Sequence, residues 1–109
     1  MNKRVCWYVY LIECRDGSLY TGITTEVLRR YAQHVAGKGA RYTRSHPPAR
    51  LLGQCACADR SEASRTEYRI KQLPASEKRL LCERWAQAGR TPALQAALEQ
   101  NPQHLQQSP

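Results

Sequence analysis

The chain is poor in several things, and each shortage excludes something. It has no Phe and a single Met, so its core must come from aliphatic residues with Tyr and Trp. No apolar run approaches the ~20 residues needed to span a bilayer. The opening stretch, residues 1–14, has a basic start and a short apolar segment. No small-residue cleavage site follows, and Glu13, Arg15 and Asp16 come at once, so a signal peptide does not fit. The expectation is a soluble cytoplasmic protein. Five cysteines are an odd number, without the paired spacing of a zinc site or a disulfide framework. They read as small buried hydrophobes in a reducing compartment. Acids are scarce as well. Up to residue 90 there are seventeen basic residues against eight acids. Thirteen of the seventeen are Arg, which pairs bidentately with phosphate. That bias suits a phosphate-rich partner, although a generic basic surface for solubility gives the same count.

With 109 residues the chain fits one compact domain able to bury its own core. Residues 6–14 are rich in Tyr, Val and Ile and predict a strand. Asp16-Gly17 is a turn signal, and residues 19–23 predict a second strand closing a hairpin. Thr24 or Thr25 can cap a helix running to about Val35, with Leu28, Tyr31 and Val35 on its apolar side. Residues 37–48 read as a Gly-bounded basic loop closed by Pro47-Pro48. A third strand is expected over about 49–58. Asp59 with Glu62 begins a helix over 60–72 in the manner of a capping box. Pro74 ends it, and an amphipathic helix near 76–88 follows. A short helix near 92–99 and a Gln- and Pro-rich tail complete the chain, so the domain is set at 1–90 with 91–109 as an appendage. The expected fold class is α+β: a small three-stranded antiparallel sheet with helices packed around it. The expected core is Val9, Leu11, Leu28, Tyr31, Leu51, Ile70, Leu80 and Trp85.

Several polar residues then ask for an explanation. Glu67 lies between Ala63 and Ile70 on the apolar stripe of its helix, where a carboxylate needs a cation, a hydrogen-bond network or a metal. A salt bridge to a nearby Arg would satisfy it equally well. Arg30 and His34 are i,i+4 neighbours. They could be no more than a solvated pair. Tyr8 and Tyr10 share one strand face, and Tyr20 comes back across the hairpin. Any one of these tyrosines could be simple packing.

Taken in order, Tyr8-Val9-Tyr10, Tyr20-Thr21-Gly22, Arg30, His34 and Glu67 resemble the GIY-YIG nuclease superfamily. The basic loop, residues 37–52, is similar to that of its small stand-alone bacterial branch and of the catalytic domain of structure-specific flap and junction endonucleases. The likeness covers residues 5 to about 85. Tyr8 and Thr21 depart from the family's Gly and Ile. The resemblance implies a divalent-metal-dependent endonuclease hydrolysing DNA phosphodiesters, on branched, flapped or damaged DNA in repair or recombination. Its implied catalytic residues are Tyr10, Tyr20, Arg30, His34 and Glu67, with Glu67 holding Mg²⁺ or Mn²⁺. Arg30 would stabilise charge on the phosphate, and Tyr10 or Tyr20 would act as base, Tyr10 being preferred. His34 would orient the network or relay a proton. Lys38, Arg41, Arg44 and Arg50 are expected to contact DNA phosphates. The alternative is a non-catalytic nucleic-acid-binding module or accessory subunit that keeps the fold. The small size leaves room for a protein partner that supplies substrate specificity. A zinc module using Cys55, Cys57 and His46 has too few spaced ligands.

Overall fold

A computed structural model describes residues 5–88. Three strands form one antiparallel sheet: β1 (Trp7–Cys14), β2 (Leu19–Thr24) and β3 (Pro48–Cys57). The order is β2-β1-β3, so the tyrosine-rich β1 is central and β2 is an edge. The turn between β1 and β2 is closed by Asp16, whose Oδ1 accepts from the Ser18 N–H at 3.0 Å. The register pairs Tyr10 with Gly22 and Ile12 with Tyr20.

Alternation splits β1 into two faces. Val9 and Leu11 point one way and join Cys57, Ala63, Ile70 and Cys82 in an apolar cluster. Its helices are α3 (Arg60–Lys71) and α4 (Ala75–Ala88). Tyr10, Ile12 and Cys14 point the other way and pack with Val27 of α1 (Val27–Val35). The helix α3 starts where the capping pattern put it: the Asp59 side chain accepts from the Glu62 N–H at 2.8 Å. The Glu62 carboxylate reaches back to the N–H of Ala58, one residue before the cap, at 2.6 Å.

Three expectations need correction. Residues 37–48 are not all loop, because Arg41–Ser45 form a short helix, α2. Leu28 is 76% exposed and Val35 is 58% exposed, so α1 does not bury the stripe through Leu28, Tyr31 and Val35. It buries Val27 and His34, with Arg30 and Tyr31 half-buried between them, a pattern rotated by one residue. The physical reason is that His34 finds polar partners inside, so hydrophobicity alone mis-set the phase. Likewise Leu80 is 51% exposed, while Cys82 is the buried residue of α4 and Leu81 and Trp85 pack beside it. Val9, Leu11 and Ile70 are buried as expected, and Tyr31, Leu51 and Trp85 are half-buried. The expected helix near 92–99 lies outside the described residues. All five cysteines are free thiols. Among the described residues no helix is long and apolar enough to cross a membrane.

Candidate functional site

The site grows from the even-numbered face of the hairpin. Tyr10 is 1% exposed, and its ring runs outward over Gly22 on the edge strand. A Cβ at position 22 would lie 2.5 Å from the Tyr10 hydroxyl. Only glycine leaves room there, which explains the Tyr-x-Gly step of β2 in steric terms. The Tyr10 hydroxyl is hydrogen-bonded to His34 Nε2 at 2.8 Å. Tyr20 packs over both, its ring centroid 6.3 Å from Tyr10 and 5.1 Å from His34.

His34 is itself held from behind. Its Nδ1 is 2.6 Å from the hydroxyl of Thr43, a buried residue of α2. That hydroxyl donates to the Ala40 carbonyl at 3.0 Å. The Ala40 N–H also points at Nδ1, at 3.4 Å, so the imidazole is held on that side by both Thr43 and the backbone before α2. Gly39 matters for the same reason as Gly22: a Cβ there would sit 2.2 Å from His34 Nδ1. The imidazole is buried, and burial followed by the Arg30 charge pushes its pKa down to about 4. It is neutral at ordinary pH.

Arg30 and Glu67 supply the charges. Arg30 Nη1 donates to Gln33 Oε1 at 2.9 Å, which fixes the guanidinium along α1. Its charge acts on both His34 and the Tyr10 hydroxyl. Glu67 arrives differently. The helix α3 packs on the Val9–Leu11 face, opposite α1, yet the Glu67 carboxylate also acts on the Tyr10 hydroxyl. Tyr10, Tyr20 and His34 are in mutual contact, and the Arg30 and Glu67 charges are both felt at the Tyr10 hydroxyl, which reaches across Gly22. Burial, then the neighbouring Tyr20, pushes the Tyr10 pKa up to about 12; Arg30 opposes the rise and Glu67 adds to it. A sealed phenol of this kind keeps its proton, which counts against Tyr10 as the group that meets water. Tyr20 is half-buried and has a path to solvent.

Glu67 keeps 23% of its side chain exposed and pairs with Lys71 one turn further on at 3.1 Å. Among the described residues no three His, Cys, Asp or Glu side chains gather as a metal cage. One partly open carboxylate fits a hard cation that keeps most of its water, as Mg²⁺ does, and does not fit tetrahedral zinc.

The expected basic rim divides. Lys38, Arg41 and Arg44 are exposed around α2, and none makes an ion pair among the described residues. Arg50 does not join them. Its Nε donates to Glu13 at 2.7 Å, and Arg79 of α4 holds the other Glu13 oxygen. Sequence reasoning missed Gln33 and Thr43, which position Arg30 and His34. It also missed an aromatic stack in which Tyr42 of α2 lies 5.9 Å from Tyr20 and 4.2 Å from His46. The i,i+4 spacing of Tyr42 and His46 was the available signal, hidden because the segment read as loop.

This arrangement has relatives. The GIY-YIG catalytic domain matches residues 6–80. The chain belongs to the GIY-YIG catalytic domain family. It is thereby placed in a family of nucleases. It is 51% identical over 82 residues to a UPF0213 protein of Cupriavidus necator, covering 75% of this chain and 89% of that one. A UPF0213 protein of Desulfotalea psychrophila is 54% identical over 81 residues, covering 73% and 74%. A solution NMR structure of a protein from E. faecalis superposes with a TM-score of 0.53 at 34% identity, covering 79% of this chain and 92% of that one.

Proposed function

We propose that this GIY-YIG chain is a divalent-metal-dependent endonuclease that hydrolyses DNA phosphodiesters, on branched, flapped or damaged DNA. The observation that supports the reading is the contact of Tyr10, Tyr20 and His34, with the Arg30 and Glu67 charges felt at the Tyr10 hydroxyl. Arg30 holds a non-bridging phosphate oxygen and stabilises the charge that grows there. Tyr20 faces the attacking water, in the role first given to Tyr10. Tyr10 and His34 form the buried leg behind it, with Thr43 holding the imidazole in place. A divalent cation on Glu67 would neutralise phosphate charge and help ionise the water. Lys38, Arg41 and Arg44 contact the flanking phosphates.

The Lys71–Glu67 pair favours a second reading, a non-catalytic nucleic-acid-binding module, because it already neutralises the carboxylate. One experiment separates the two. Wild type and Glu67→Ala are purified identically and given Mg²⁺ or Mn²⁺ with single-stranded, duplex, flap and junction DNA. The nuclease reading expects cleavage by wild type and none by Glu67→Ala. Measured in a metal chelator, binding should persist, because removing a carboxylate does not weaken the direct Coulomb attraction to phosphate. Arg30→Ala should lose roughly 10²–10³ in rate. No wild-type cleavage on any substrate, or equal cleavage by both proteins, defeats the reading.

A further inference from the structure

The aromatic stack beside the site has no role in the chemistry above. Tyr42 is 38% exposed, although a large ring gains by burial. Its ring plane lies within 25° of Tyr20 and within 20° of His46. The His46 ring is pinned at its edge, with Nδ1 2.6 Å from Asp16 Oδ2. Ser18 and His46 together hold the Asp16 pKa well below the usual carboxylate range, so the anchoring carboxylate is ionised. Three flat rings are thus held roughly parallel and part-exposed, starting from Tyr20 in the site. Arg41 and Arg44 flank Tyr42 in the same five-residue helix, without ion pairs among the described residues.

Tyr42 is the middle ring of the stack, between Tyr20 and His46, so the ring left for a ligand is the end one, His46, whose side chain is 37% exposed. An end ring of a stack beside unpaired guanidinium groups matches one kind of ligand: a planar apolar ring attached to a phosphate backbone. Bases inside a continuous duplex have both faces stacked on neighbours and cannot offer one. We propose that His46, backed by Tyr42, forms a stacking shelf for an unpaired DNA base next to the scissile phosphate, while Arg41 and Arg44 hold its backbone. This rests on the nuclease reading and narrows it. The preferred substrate carries a single-stranded nucleotide at the cleavage point, as flaps and overhangs do and a perfect duplex does not.

The test measures binding in a metal chelator, where no cleavage can intervene. A short single-stranded thymidine oligonucleotide and a blunt duplex are titrated into wild type, and the His46 ring protons are followed by NMR. Stacking should shift these ring signals upfield with the single strand and leave them in place with the duplex. Tyr42→Phe, which keeps the ring, should bind the single strand like wild type. Tyr42→Leu should bind it about tenfold more weakly and the duplex equally well. Ring signals that stay still at saturation with the single strand overturn the shelf, as does equal weakening of both ligands by Tyr42→Leu. If Tyr42→Leu does not fold, the wild-type ring shifts decide. Adding Mg²⁺ afterwards distinguishes the two proposals. Ring shifts without cleavage leave the shelf standing and defeat the nuclease. Cleavage without ring shifts does the reverse.

Discussion

The two faces of β1 come from alternate residues of one eight-residue strand, yet they solve different problems. The Val9–Leu11 face is filled by Ala63, Ile70, Cys57 and Cys82. Its stabilisation is apolar area removed from water, and nothing in it needs a particular proton or charge. The Tyr10 face buries a hydroxyl, an imidazole and the Thr43 hydroxyl together. It is stable only because those groups satisfy one another. The first face tolerates change in shape better than loss of volume. The second loses its purpose when a single atom is misplaced. Glu67 crosses the division: its helix belongs to the apolar face, and its charge is felt at the Tyr10 hydroxyl on the polar one.

The largest effect that tests this contrast is on the apolar face. Leu11→Ala should cost about 4 kcal/mol in denaturant unfolding, through lost transfer energy and a cavity beneath α3 and α4. At a temperature where the variant remains folded, DNA binding should be close to wild type. A cost below about 1 kcal/mol would mean that this cluster is not the main stabilising core.

Next comes the acid response of the polar face. The His34 pKa in the folded chain is about 4, depressed from an ordinary 6.5. As pH falls through 6.5 the unfolded chain takes up a proton that the folded chain refuses. Stability therefore drops between pH 6.5 and 4, by on the order of 3 kcal/mol at full extent, and this contribution levels off below 4. NMR titration of the His34 ring should show its midpoint near 4. A midpoint near 6.5 would mean that the imidazole is open to water.

The smallest effect sharpens the comparison most. Gly22→Ala adds one methyl group, 2.5 Å from the Tyr10 hydroxyl. It should cost about 2 kcal/mol by overpacking, and it should break the Tyr10–His34 hydrogen bond. DNA cleavage should fall further than stability does. A stable, fully active Gly22→Ala protein would show that the Tyr10 position is not needed for the reaction.

Much of this was legible along the chain because it depends on near neighbours. The alternation of β1, the Asp-Gly turn, the Asp59–Glu62 cap and the Pro74 stop are local signals with local causes. The short helix α2 was not legible, since five residues between a Gly-rich stretch and Pro47-Pro48 carry too little periodicity. The phase of α1 was misread for a deeper reason. Leu28 looks more buriable than His34, and only the partners Tyr10 and Thr43, brought in by β1 and α2, reverse that preference.

What the sequence by itself determined is the order of elements, the two-faced character of the hairpin strand and the set of residue types shared with the GIY-YIG family. These follow from periodicity, turn chemistry and motif, all properties of short segments. Only the tertiary structure decided that Arg50 serves Glu13 rather than the basic rim, and that Tyr10 is sealed while Tyr20 is part-open. The same holds for Glu67, whose helix packs on the far face of the sheet while its charge is felt at the Tyr10 hydroxyl. Burial and charge environment depend on which distant segments close over a group, and no local stretch of sequence encodes that.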